Sequence, residues 1–185
     1  MSADGGNTGA YLTATANGNA GDTIWFGGIK TDYTYTPATQ GGFRFLSVST
    51  NLLHAVAGGT GRELIVEQGG KRYYSPLEGF STNSSWLNYT AAFLAASDFD
   101  TNPWAGNFGV PPDGNHPDFG SSGPPIRFGF LFGNGIDVGT FTNTVGLDTY
   151  LVTTSIVPEP EQAAFVVLGL GVMGFLTRRR SRIFG

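Results

Sequence analysis

The chain has 185 residues, 40% of them hydrophobic and 14% aromatic, enough for one ordinary core and hardly for two large ones. Only 13% are charged and 29 are glycine, the profile of a loop-rich all-β protein. The net charge of -4 is divided: Arg178, Arg179, Arg180 and Arg182 outweigh Glu159 and Glu161 at the C-terminal end, which leaves the preceding body at -6. Such a body, without Lys/Arg clusters, has nothing with which to displace counterions from phosphates and argues against nucleic-acid binding. The absence of cysteine excludes disulfides, thiolate zinc sites and a cysteine nucleophile.

Along the chain, strands are expected at "YLTAT" from Tyr11 and "TIWF" from Thr23. In "GFRFLSVS", Arg44, Leu46 and Val48 share one face and oppose Phe43, Phe45 and Ser47. "GGTGRE" from Gly58 lacks the Lys-Ser/Thr of a phosphate loop and reads as a turn. "ELIVEQGGKRYY" is a hairpin, because Gly69 and Gly70 can adopt the positive φ of a tight primed turn. Glu63 and Glu67 flank its apolar "LIV" as strand-end solubilising charges. Leu87, Tyr89, Ala91 and Phe93 share a face of "WLNYTAAFL", and Ile126, Phe128, Phe130 and Phe132 share one of "IRFGFLF". A last strand is expected at "TYLVTT" from Thr149. Roughly eight short strands punctuated by Gly and Asn predict an all-β fold, an antiparallel β-sandwich with jelly-roll-like order and aromatic side chains between the sheets.

Ser97 to Pro125 carries six prolines and is neither helix nor central strand. It sets Trp104, Phe108 and Phe119 among Asp98, Asp100, Asp113, Asp118, Asn102 and Asn107. Aromatic faces stack on sugar rings, so Trp104, Phe108 and Phe119 are candidate glycan contacts. Asp98 and Asp100 are candidate ligands of a structural Ca²⁺, and no other cofactor is expected. The alternative is that the aromatics pin a wandering loop to the sandwich while Asp and Asn serve its turns.

Catalytic signatures are scarce. His54 and His116 have no second His at metal-ligand spacing, and no nucleophile elbow occurs. Glu63, Glu67 and Glu78 are available carboxylates, but a glycosidase needs two facing each other across a cleft. The expectation is that the protein is not an enzyme, with an exported glycan-active enzyme built on a β-sandwich cleft as the rival. Asn83 and Asn88 begin Asn-X-Ser/Thr triplets, which chance supplies often in a chain of this composition.

After residue 157 the composition changes. Ala163 to Leu176 is an apolar run that as a helix would span about 21 Å, against a hydrocarbon core of ~30 Å. It is marginal as a permanent transmembrane span, although arginine stems and local bilayer thinning extend its reach. Gly169, Gly171 and Gly174 make it a poor soluble helix but allow close packing in a membrane. Arg178, Arg179 and Arg180 directly after it keep the C-terminus cytoplasmic and put the body across the membrane. Pro158 and Pro160 end any helix upstream and hold Glu159 extended just outside the bilayer, within reach of a membrane-embedded processing enzyme.

The order Val157, Pro158, Glu159, Pro160, apolar run, Arg178, Arg179, Arg180 resembles the PEP-CTERM protein-sorting signal of Gram-negative bacteria. That resemblance implies export, transient anchoring in the inner membrane, and recognition at Pro-Glu-Pro by an exosortase, a membrane protease-transpeptidase. It implies delivery to the cell surface or to the extracellular matrix of a biofilm, with Pro158, Glu159 and Pro160 as recognition residues and the arginines as the retention stop. The body, through "GGNTGAYLTAT", "GDTIWF", "GGFRFLSVS", "SWLNYTAAFLAASDF" and "GLDTYLV", resembles laminin-B-like modules that are themselves similar to carbohydrate-binding domains. The loop from Ser97 is longer than in those modules, and Thr149 stands where they more often have Asn. Two units follow: a sandwich over 1–157 and a sorting signal over 158–185. Since Met1 to Ala10 has neither a basic n-region nor an apolar h-region, the expectation is that a signal peptide and a first strand precede it. The functional expectation is a noncatalytic matrix or adhesion protein, with exopolysaccharide as a candidate partner of the body.

Overall fold

The computed structural model describes residues 10–54, 59–80, 83–135 and 139–156. The expected C-terminal helix and all of the sorting-signal residues lie outside them. The described chain runs β1 (Leu12–Gly18), β2 (Thr23–Ile29), a one-turn helix α1 (Pro37–Gln40), β3 (Phe43–His54), β4 (Gly59–Gln68), β5 (Lys71–Tyr74), β6 (Glu78–Phe80), β7 (Asn83–Leu94), a 3-10 turn (Ala96–Asp98), β8 (Ile126–Gly135) and β9 (Phe141–Ile156). One sheet has the order β1-β9-β3-β7, and the other has β2-β8-β4-β5 with β6 also paired to β4. Every strand pair is antiparallel. Each of the first four strands lies in the sheet opposite to its predecessor.

The two sheets enclose the apolar faces that period-2 alternation sets apart. Leu46 and Val48 of β3, Leu64 and Val66 of β4, and Ile126 and Phe128 of β8 meet in the main cluster, while Leu52, Phe132, Val145 and Leu147 form a second one further along. Each such side chain stabilises the fold by about 1.5–3 kcal/mol when fully buried. The Tyr150 hydroxyl donates to the Gly129 carbonyl at 2.8 Å, tying β9 to β8 across the sandwich. The hairpin at Gly69 and Gly70 forms as expected, with φ of 59° and 78° at the two glycines and Gln68 opposite Lys71.

Three local expectations are corrected. A register shift between Phe43 and Phe45 turns Phe43 inward with Leu46 and leaves Arg44 exposed, so Arg44 does not share the buried face of Leu46 and Val48. A second shift, where β7 pairs with Leu46 and Val48, gives Phe93 a φ of 58° and leaves it 74% exposed, apart from buried Ala91. The segment expected to be a turn before Glu63 is strand from Gly59 onward, paired with both β6 and β8.

Candidate functional site

The segment between the 3-10 turn and β8 is the longest irregular stretch of the described chain, and its own side chains organise it. Phe99 is fully buried, and Asp100 forms a backbone bridge with Tyr74, donating to its carbonyl and accepting from its N–H. That bridge places the Asp100 carboxylate under the loop, where Oδ1 accepts the Asn102 N–H at 2.8 Å and Oδ2 accepts the N–H groups of Asp113 and Gly114 at 2.9 and 3.1 Å. Asp113 accepts from the Thr101 hydroxyl, the Asn115 N–H and the Asn115 side-chain amide, and these donors hold its carboxyl well below the usual carboxylate range. Further along, Gln68 of β4 donates to the carbonyls of Asp118 and Pro124 and accepts the Asp118 N–H. The loop is therefore a chain of satisfied turns bound at both ends to the β4–β5 sheet.

At its centre the loop lies against Glu63. Because Leu64 and Val66 of β4 point into the core, Glu63 projects to the opposite face, where Trp104 covers it and donates its backbone N–H to Oε1 at 2.7 Å. Glu63 is only 2% exposed, and Oε2 has no hydrogen-bond partner among the described residues. Burial pushes the carboxyl up to about 7, partly opposed by the Trp104 N–H. Trp104 itself has a φ of 65°, and its ring lies against Trp25 of β2 with centroids 3.4 Å apart and planes 31° apart. Trp25 in turn lies over Gly133, its register partner in β8, where any Cβ would fall inside the indole ring. Glycine at 133 is thus what allows the indole pair to lie flat on the sheet.

Of the three candidate glycan contacts, only Phe108 offers an open ring, at 79% exposure. Trp104 is nine-tenths buried and stacked. Phe119 is packed between Phe43 and Phe99 and belongs to the core, with its backbone carbonyl accepting the Phe43 N–H. The candidate calcium ligands are engaged differently from a cation cradle. Asp98 caps the 3-10 turn through the Ala95 N–H at 2.7 Å, and both oxygens of Asp100 face N–H donors, whose positive ends repel a cation. No group of three or more His, Asp or Glu side chains suited to a metal occurs among the described residues. His116 places Nδ1 2.5 Å from the Phe99 carbonyl, a loop-fastening contact.

Strand alternation predicts Glu63 to be a solvated strand-end charge, and the fold instead buries it. Its neighbour in the pattern, Glu67, does behave as expected, facing Arg72 at 3.4 Å and Arg127 at 3.5 Å. Glu78 is held by Arg62, whose guanidinium also lies 4.9 Å from the Tyr89 ring centre. What separates Glu63 from Glu67 is coverage by a loop from far along the chain, which strand alternation does not encode.

The described chain ends with Ile156 paired to Phe43. Residues 157–180 carry a PEP-CTERM protein-sorting motif. The motif begins at the residue after the last strand, so the sorting segment adjoins the sandwich without taking a strand from it. No curated protein matches the chain. Among solved structures, the chain is similar to the family 11 carbohydrate-binding module of a cellulosomal cellulase of Clostridium thermocellum, at 12% identity over 83% of this chain and 94% of that one, with a TM-score of 0.38. It is also similar to a chain of broad bean stain virus, at 13% identity over 86% of this chain and 98% of that one, with a TM-score of 0.28.

Proposed function

We propose that this protein is a noncatalytic component of the bacterial cell surface or extracellular matrix, delivered through its PEP-CTERM motif by an exosortase and holding exopolysaccharide through its sandwich. The observation that carries the proposal is the motif at 157–180 placed directly after β9. Cleavage beside Pro158, Glu159 and Pro160 removes the apolar run and the arginines while every strand pairing of the body is kept. Before cleavage, the short apolar run anchors the chain with its arginines on the cytoplasmic side. The strand orders β1-β9-β3-β7 and β2-β8-β4-β5 support a jelly-roll assignment for the body.

The noncatalytic half is supported by the state of the carboxylates. Glu67 and Glu78 are committed to arginines, and Glu63 is covered by the Trp104 backbone. A glycan-active enzyme instead needs two carboxyls facing a substrate.

The test is mass spectrometry of the mature C-terminus in the native host. The expected result is a new C-terminus beside Pro158–Pro160 in the wild type and a retained Arg178–Arg180 segment in a Glu159→Ala variant. A mature wild-type protein that still carries the arginines overturns the sorting half. Turnover of a polysaccharide by the purified protein overturns the noncatalytic half.

A further inference from the structure

The sandwich is not closed everywhere. Between the segment that follows β2 and strands β8 and β9 lies a cavity of about 200 Å³. Its floor is apolar: Phe128, Tyr150 and Val152 line it, and the Tyr150 hydroxyl is already committed to the Gly129 carbonyl. Tyr35 forms a fixed wall, because its hydroxyl donates to the Gly41 carbonyl at 2.8 Å and its backbone pairs with Ile126. The mouth is different in character. Tyr33 is 46% exposed, Thr154 brings a hydroxyl, and Lys30 forms a surface ion pair with Asp32 at 2.9 Å.

We propose that this cavity is a binding site for a single neutral pyranose unit at the end of a glycan chain. This rests on the reading that the body holds polysaccharide, and it names the place and the mode. A sugar ring has an apolar face of C–H groups and a rim of hydroxyls, and the cavity pairs an aromatic and aliphatic interior with a polar mouth. The mouth is suited to adjacent hydroxyls: the Lys30 ammonium, released from its ion pair with Asp32, donates to one and the Thr154 hydroxyl exchanges a hydrogen bond with the next. An exposed ion pair of this kind is weak, so hydroxyls displace it at small cost. The body's charge of -6 disfavours an acidic sugar, which leaves a neutral one. Size decides the mode. Drug-sized ligands occupy pockets of roughly 300–1,000 Å³, so a space of about 200 Å³ takes one ring and not a length of chain. The ring enters end-on between the sheets, not along a sheet face.

The test uses the full chain in a zwitterionic detergent without sugar headgroups, titrated with the methyl glycosides of glucose, galactose and mannose and with their linear tetrasaccharides, read by amide NMR shifts. The expected result is saturable shifts at Tyr33, Val152 and Thr154 for one of the three sugars, with the tetrasaccharide binding within about threefold of the methyl glycoside because only its end is held. Tyr33→Ala and Lys30→Met, both at exposed positions outside the core, each weaken this binding, Tyr33→Ala by about tenfold, with the amide spectrum otherwise unchanged. If affinity instead rises steeply with chain length and the shifts fall on Trp25 and Phe108, the cavity inference is overturned while the polysaccharide reading stands. If neither the sugars nor intact exopolysaccharide from the host binds, both fail, and only the sorting half of the proposed function survives.

Discussion

Replacing Glu63 with glutamine isolates the most deeply buried of the described carboxyls, at 2% exposure. Its pKa is raised from 4.5 to about 7, chiefly by burial, so the folded chain keeps a proton that the unfolded chain gives up. Below pH 4.5 both states are protonated and its contribution to stability is complete. As pH rises from there, the unfolded state ionises first, and stability falls by up to about 1.4 kcal/mol per pH unit until the folded carboxyl ionises as well. Over the whole interval this amounts to about 3 kcal/mol, reduced to about 2 kcal/mol by solvent screening through the loop. Asp113 acts with the opposite sign in a different window: its lowered pKa contributes stability that is present above 3.8 and lost as pH falls further. Glutamine keeps the Trp104 N–H bond and places its amide where the protonated acid has its hydroxyl. Urea unfolding followed by tryptophan fluorescence is therefore expected to give matching stabilities for wild type and Glu63→Gln at about pH 4, and a variant about 2 kcal/mol more stable at about pH 8. A variant whose pH slope between these points equals that of the wild type refutes the reasoning, because Glu63 would then titrate as a solvated group.

Two further outcomes follow from the loop and the bulges. Asp100→Ala removes the acceptor of three backbone N–H groups and is expected to cost about 3 kcal/mol, with hydrogen exchange at Asp113 and Gly114 accelerating before exchange in β8; unchanged protection there contradicts the assigned role. Thr149 is a β-branched residue at a φ of 53°, so Thr149→Asn, which tolerates that region far better, is expected to add about 1 kcal/mol and to raise the thermal midpoint by about 2–4 °C. A lowered midpoint would show that the contact of the Thr149 hydroxyl with Asp148, at 3.4 Å, outweighs the backbone strain.

The angle at Thr149 has a local cause in the sheet. The backbone there must turn left-handed where β9 shifts register against β3 between Ser49 and Asn51. Thr is the strained choice and Asn the relaxed one.

Alternation alone identified the β8 face of Ile126, Phe128, Phe130 and Phe132, the glycine hairpin and the approximate place of most strands, because these depend on neighbours one or two residues away. The sorting motif was equally legible, since its three parts act in sequence order and need no partner from elsewhere in the chain. The bulges at Phe43 and Phe93 were not, because a one-residue slip is decided by the partner strand and reverses which side chains are buried. Nor was the fate of the loop from Ser97: its aromatic and acidic residues suit a ligand site as well as a scaffold. Only the packed fold turned Phe119 inward, laid Trp104 on Trp25 and gave both oxygens of Asp100 to backbone N–H groups. By itself, then, the sequence determined an antiparallel sandwich and an address at its end. The tertiary structure decided which carboxyl lost its water and where a cavity opened between the sheets, because both depend on which distant segment comes to lie over which strand.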